Sequence, residues 1–453
     1  MPVTRSFFMR FILLGLLLVC SASMWIYWNR VPGALHAASV RTGLPQAKPL
    51  TDLYPRWYGT RELLLHHRDP YGVEVSRDIQ IAYYGRALNP SVAADWLDQE
   101  RFAYPLYVIF LMLPTVPMEF DRVRVVVWWF LATVAALGVW FWLHFLRIQL
   151  SVVAGVAVFS VVLTSVPVMQ GLSLLQLGLL VASLIAGAAA CAAKGRLFLA
   201  GTLLAMATIK PQMALLPIAW FAMWTVGEWK QRKPLVWGFG LMLTGLIVAS
   251  EFLLPGWLIR YPQALVAYSG YTNAKAFLGA VMPSTVLWAV SVLAALGVGV
   301  FCWRVRREPA DSVWFAIALA FVLALTVTIV PTVNASFNQV LLLPAFLLGV
   351  RHWRDLGRGA RANRLALYAM TGCAFLPWAL ALVVVVAQPN LRNGWYLTLW
   401  SAPIFSSFAL PVAAIGFLIL LSRAMAASHL ESTHGAAFGA VTGVGSVQQS
   451  VQE

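Results

Sequence analysis

From residue 102 to residue 421 the chain is a succession of apolar runs with short breaks between them, and that succession decides what it can fold into. The runs fall at 102–117, 122–146, 151–168, 172–193, 197–226, 235–255, 282–303, 313–330, 331–350, 364–387 and 398–421, and another covers 7–28. Crossing the hydrocarbon of a bilayer takes about 20 helical residues. Inside lipid a spanning segment must satisfy its own backbone polar groups, which a helix does. The pattern predicts an all-α polytopic membrane protein with about twelve transmembrane helices. Composition agrees: 60% of the 453 residues are hydrophobic and 11% charged, against about 45–50% and about 25% in soluble domains. An ordinary soluble domain, a disordered chain and a fibrous repeat are excluded. The run 102–117 is short for a span and 197–226 is long. The long one reads as a single crossing or as two half-helices broken at Lys210-Pro211, since proline disrupts a helix interior.

Lys and Arg number 32 against 17 Asp and Glu, a net charge of +15. In a soluble protein that excess would suggest nucleic acid. Here the basic residues gather in short clusters between apolar runs, which is the mark of cytoplasmic loops, so no nucleic-acid partner is expected. Lys230/Arg232/Lys233, Arg304/Arg306/Arg307 and Arg351/Arg354/Arg358/Arg361/Arg364 should share the cytoplasmic side. Residues 256–281, 388–397 and the turn Pro331–Asn334 then join 30–101 outside. Arg5 and Arg10 stand at the start of the first apolar stretch, which ends in Trp25, Tyr27 and Trp28. It reads as an uncleaved first span. The expectation is a multi-pass protein of the inner (plasma) membrane with both termini cytoplasmic. One conflict stays open. A single crossing of 197–226 would leave Lys194 and Arg196 outside, and a broken hairpin would require another element to compensate.

Four parts follow: a first helix over 1–29, an extracytoplasmic loop with short interfacial helices over 30–101, a multi-span bundle over 102–423, and a flexible cytoplasmic tail over 424–453. The loop holds eight of the seventeen acidic residues, with Trp57, Tyr58, Tyr71, Tyr83, Tyr84 and Trp96 among them. A connection this long is functional or disordered, and the aromatic content argues for order. Residues 54–65 read as an amphipathic helix lying on the membrane surface. Cys20, Cys191, Cys302 and Cys373 form no CxxC pair, and the seven histidines contain no HExxH. No metal or other cofactor is expected.

Polar residues in such a setting want reasons. Lys210, in ATIKPQMALLP, would cost about 3 kcal/mol deep in a span. It is either a cation at a broken helix end facing an anion such as a phosphate, or a lysine that reaches the interface or pairs with an acid. Arg260, Asn273 and Lys275 fall in the outer 256–281 segment, where they would contact phosphate or simply anchor at the interface. Asn334, Ser336, Asn338 and Gln339 would line a cavity or cap a helix. Gln170 in PVMQGLSLLQLG is similar, and Gln176 lies six residues on. Asp52, in PLTDLYPRWYGTRELL, suits a general base if a hydroxyl can approach it; a capping aspartate, or one salt-bridged to Arg56, is the alternative. Asp69 sits in Asp-Pro-Tyr-Gly, strong turn chemistry.

The layout resembles glycosyltransferase family 87, polyprenol-phosphate-mannose-dependent mannosyltransferase-like membrane proteins of the GT-C class. The resemblance rests on the early loop aspartate, the turn Arg68-Asp69-Pro70-Tyr71-Gly72, the element Phe102-Ala103-Tyr104-Pro105-Leu106, Gln170-Gly171-Leu172-Ser173-Leu174, and Ala200-Gly201 through Lys210-Pro211. It implies a GT-C-like helical bundle and a polyprenyl-phosphate sugar donor, with inverting transfer of a hexose such as mannose to a glycan or glycolipid acceptor of the cell envelope on the outer face. By the same resemblance Asp52 is the base that deprotonates the acceptor, and Lys210 contacts the donor phosphate. Arg56, Tyr104, Gln170, Arg260, Asn273, Lys275 and Asn338 complete the expected substrate-binding set, and membrane lipids are the surroundings. The competing reading is a transporter or flippase of a lipid-linked or small polar substrate. It would place ionisable groups near the midplane, whereas this chain concentrates them in one outer loop and at outer helix ends.

Overall fold

The computed structural model describes residues 14–30, 50–89, 91, 100–269, 284–330, 335–357, 361–387 and 395–443. Among these residues every regular element is helical. A first helix, α1, covers 14–30. Then come α2 (Tyr54–His66), α3 (Val73–Tyr84), α4 (Val108–Met112), α5 (Phe120–Phe145), α6 (Val152–Leu163), α7 (Val166–Ser173), α8 (Gly178–Ala193), α9 (Leu197–Ala207) and α10 (Pro211–Gly227). The second half holds α11 (Trp229–Leu253), α12 (Trp257–Ser269), α13 (Ser284–Val305), α14 (Val313–Ile329), a 3-10 helix (Ser336–Leu342), α15 (Leu343–Arg351), α16 (Trp353–Gly357), α17 (Arg361–Ala387), α18 (Trp395–Ser406) and α19 (Leu410–Gly443).

Five helical stretches among the described residues are long and apolar enough to cross a membrane: Phe120–Phe145, Trp229–Leu253, Thr285–Val305, Asn363–Ala387 and Ser401–Ala427. The pair α6 and α7, bent by 57°, makes a sixth if counted as one span. Among the described residues the other expected crossings are shorter helices, so the structure supports a helical membrane protein and does not bear out a count of about twelve full-length spans. The run 102–117 is a clear departure. It folds as the five-residue α4 and a 3-10 turn over Leu113–Thr115, because Pro105, Pro114 and Pro117 interrupt it.

That departure resolves the conflict over Lys194 and Arg196. Both ends of the bundle are fixed by contacts. At one end Arg351 donates to the carbonyl of Leu146, and Trp224 Nε1 to that of Glu308. Arg232 donates to the carbonyls of Trp224, Arg306, Arg307 and Glu308. The three basic clusters of the second half are therefore at one end, with Arg147 pairing Asp311 beside them. The start of α8 lies at the other end, next to Lys210 and Asn338, so α8 delivers Lys194 and Arg196 to the basic end. The 197–226 run is a hairpin of α9 and α10 with Lys210 at its tip, and 102–117 is the element that compensates by not crossing.

At about 1.5 Å per residue, α10 and α14, with 17 residues each, are roughly 12–14 Å shorter than α5 and α11, with 26 and 25. The short helices make a recessed floor. Residues 50–89 and 100–115 cap the other end of the bundle: Leu53, Trp57, Phe102 and Tyr107 pack with Val123, Val127, Leu175 and Ile209 in one buried cluster. Trp57 Nε1 donates to the carbonyl of Thr115 at 3.1 Å.

The hairpin that carries Lys210 is held by a close helix crossing. A Cβ at Gly201 of α9 would overlap the carbonyl of Leu235 in α11, and one at Gly238 would overlap that of Phe198. Backbone is the obstacle at both positions, so no rotamer change relieves it. Gly238→Val is expected to cost about 3 kcal/mol, read as a fall in the melting midpoint in detergent. An unchanged midpoint would show that the crossing is loose.

Candidate active site

Asp52 lies just ahead of α2, in a turn held from several directions. The Tyr83 hydroxyl of α3 donates to the carbonyl of Thr51 at 2.6 Å, and Tyr54 N–H reaches the same oxygen at 2.8 Å. Arg56 donates to the backbone carbonyl of Asp52. The cap of α2 is Leu53, with no side-chain bond, so Asp52 is not a capping residue and its carboxylate is turned elsewhere. Arg56 stacks on the Tyr104 ring at 4.3 Å. Desolvation works against its charge, but the carboxylates of Asp52 and Glu100 work for it, and its pKa stays above the ordinary arginine value. Burial pushes the Tyr104 phenol up, so it stays neutral.

The floor supplies Lys210. Tyr107 donates to the carbonyl and hydroxyl oxygens of Thr208 at 3.0 and 2.9 Å, fixing the turn between α9 and α10. Pro211 begins α10, where its missing N–H costs nothing. Lys210 is 4% exposed. Its Nζ donates to Asn338 Oδ1 at 3.0 Å and to Gln176 Oε1 at 3.3 Å, and lies 4.7 Å from the Phe337 ring centre. Asn338 is fully buried, and its Nδ2 has no partner within the described residues.

Gln176 joins the two sides: Nε2 donates to the Asp52 carboxylate while Oε1 accepts from Lys210. Its position comes from the end of α7. Gln176 N–H bonds the Gly171 carbonyl at 2.8 Å, and Leu175 N–H bonds that of Leu172 at 3.3 Å. This is the Schellman pattern, with Leu175 in the left-handed place that glycine favours. A left-handed leucine costs about 1–2 kcal/mol; burial of its side chain in the cap cluster offsets this. Gly171 is needed because a Cβ there would meet Leu179 at 2.9 Å.

Of the residues expected at the site, Asp52, Arg56, Tyr104, Lys210 and Asn338 converge. Gln170 accepts from Ser336 Oγ and so ties α7 to the 3-10 helix. Arg260 pairs with Asp69 at 2.9 Å. It is engaged with the Asp-Pro-Tyr-Gly turn, whose expected geometry is present: Gly72 N–H to Asp69 carbonyl at 3.0 Å and Tyr71 N–H to Asp69 Oδ1 at 2.9 Å. Asn273 and Lys275 lie outside the described residues. Gln176 is the residue the sequence reading undervalued. The available signal was a second amide inside an apolar run, just before Gly178. Among the described residues no three His, Cys, Asp or Glu side chains gather as metal ligands.

Behind the 3-10 helix lies an apolar cavity of about 320 Å³, lined by Val161, Gln339, Phe346, Trp353, Phe375 and Trp378 among others. Asn338 and Gln339 are consecutive, so the wall that meets Lys210 also borders this cavity.

Comparison with curated proteins and with solved structures returns no match to either. A family model does match, over residues 102–331, just over half of the chain. The match takes in Tyr104, Gln170, Gln176, Lys210 and Arg260 and leaves Asp52, Arg56 and Asn338 outside it. The helical membrane architecture and this match agree, and the chain belongs to glycosyltransferase family 87.

Proposed function

We propose that this membrane glycosyltransferase moves a hexose, mannose by the resemblance, from a polyprenyl-phosphate donor to a hydroxyl of a cell-envelope glycan or glycolipid. Transfer takes place on the outer face of the inner membrane, the basic end being cytoplasmic. Asp52 takes the proton of the acceptor hydroxyl. The acceptor oxygen attacks the anomeric carbon from the face opposite the leaving group, inverting it. The bond to the phosphate oxygen breaks, and polyprenyl phosphate leaves with the electron pair. Lys210 and the unpartnered Asn338 Nδ2 meet the charge that develops there. Arg56 and Tyr104 wall the base side.

The observation that carries this reading is that Asp52 and Lys210, 158 positions apart in the chain, reach one amide from opposite sides. The adjoining cavity supports a lipid-linked donor, since its lining is almost wholly apolar and isoprenoid burial is favourable at about 0.8 kcal/mol per CH₂. Purified protein in nanodiscs, given a panel of radiolabelled polyprenyl-phosphate sugars, is expected to turn over the mannose donor and to fail with nucleotide sugars. Transfer from a nucleotide sugar, or none from any lipid-linked donor, would overturn the proposal. Filling the cavity with Ala374→Trp is expected to raise KM about tenfold for a long-chain donor and to leave a water-soluble short-chain donor unaffected. Equal effects on both would remove the cavity from the donor path.

A further inference from the structure

We propose that Gln176 is the positioning residue that holds the base and the phosphate-binding cation while keeping them apart. The inference rests on the roles just given to Asp52 and Lys210. Its starting point is the chemistry of the three side chains. An ammonium only donates and a carboxylate only accepts, whereas a primary amide has one end of each kind. Gln176 turns its oxygen to Lys210 and its nitrogen to Asp52, and the reverse orientation would break both bonds.

A neutral spacer is wanted here because opposite charges at this depth attract strongly. Direct contact would disarm both partners. Asp52 paired with an ammonium holds a proton less readily and is a weaker base. Lys210 paired with a carboxylate has less charge to offer a phosphate. The backbone conformation underlines the placement: Gln176 follows a left-handed leucine and is itself 5% exposed. Space is reserved for it as well. A Cβ at Gly178 would lie 3.4 Å from Lys210 Nζ and 3.1 Å from Asn338 Oδ1, so glycine leaves the ammonium free to reach both amides.

The charged and titratable groups that act on Asp52 are Arg56 of α2, Tyr83 of α3, Tyr104 of the segment before α4 and Lys210, and Tyr268 of α12 and Glu100 act in turn on Arg56. Of these, only Lys210 is bonded to Gln176, so it is the one through which changes at Gln176 act on Asp52.

The test is the pH dependence of kcat/KM with polyprenyl-phosphate mannose, using full-length protein in nanodiscs. Gln176→Ala vacates the gap and lets the Lys210 ammonium close on the Asp52 carboxylate. Its acid limb is expected to move about one unit to lower pH, with donor KM raised about tenfold. Gln176→Glu sets a second carboxylate beside Asp52, and its acid limb is expected to move about one unit to higher pH. Opposite displacements are what a merely architectural glutamine would not produce. Limbs that stay in place, or that move the same way, overturn the proposal. Should Gln176→Ala fail to fold, Gln176→Asn keeps an amide one methylene too short to span both partners and is expected to shift as Ala does. Failure of all three to fold would make Gln176 architectural and also overturn the proposal. Asp52→Asn separates the two readings. If it keeps the wild-type rate and acid limb, the base assignment has failed. If it is inactive while the limb of Gln176→Glu stays put, the base stands and the spacer does not.

Discussion

Asp52→Asn is expected to lower kcat by about a thousandfold while leaving folding intact. Loss of a positioned general base costs about 10²–10⁴ in rate. Asparagine keeps the shape, and its oxygen can still accept from Gln176 Nε2, so the bridge to Lys210 survives. The turn that carries residue 52 is held through backbone atoms by Tyr83, Arg56 and Tyr54, none of which depends on the carboxylate. The melting midpoint should therefore stay within a degree or two of wild type. Asp52→Glu moves the carboxylate outward by one methylene and should retain a small share of the rate. The deficit of Asp52→Asn should shrink with acceptors whose hydroxyl is more acidic, because these need less help in losing the proton. The measurement is initial-rate transfer from polyprenyl-phosphate mannose in nanodiscs. A variant with more than a tenth of the wild-type kcat, or one that has lost its fold, would remove Asp52 from the role. A flippase predicts no transfer by the wild-type protein in the same assay.

Fold class was legible because the apolar runs are long and the solvent they imply permits little besides helices. Their lengths misled where proline and lysine sit inside a run. Residues 102–117 are apolar for the sake of a buried cap, with Leu106, Val108, Ile109 and Met112 all packed inward, and apolar content alone does not tell lipid from protein as the surroundings. Lys210 was visible as a cation in a costly place, and Asp52 as an acid in an ordered loop. Their meeting was not visible, because it depends on the depth at which α9 ends and on the cap folding down onto the floor. Gln176 was hidden for a further reason. Its role comes from a left-handed leucine and from its two partners, neither of which leaves a mark in the residue types around it. Arg260 is a different case. Its departure from the charge bias suggested an anion, and the partner is Asp69, within the same chain.

Lys210→Met is expected to lower kcat by about 10²–10³, the usual cost of removing a donor aimed at developing negative charge. Methionine preserves most of the volume between Gly178, Met213 and Phe337, so packing is the smaller change. Some stability is nevertheless lost, because Gln176 Oε1 and Asn338 Oδ1 each lose the Lys210 ammonium as donor and a buried acceptor without a partner costs about 1–3 kcal/mol. Lys210→Arg keeps the charge but not the function. The planar guanidinium is wider than the ammonium, and a single added carbon at Gly178 would already lie 3.4 Å from Nζ. Kinetics distinguishes loss of the phosphate contact from general damage. If Lys210 stabilises the departing phosphate, the Lys210→Met deficit must shrink with donors whose leaving group is less basic, and the Asp52→Asn deficit must not. Acceptor acidity should show the converse dependence. Two variants with crossed sensitivities would place proton removal at Asp52 and leaving-group departure at Lys210. Parallel sensitivities would mean that both act only through the amide between them.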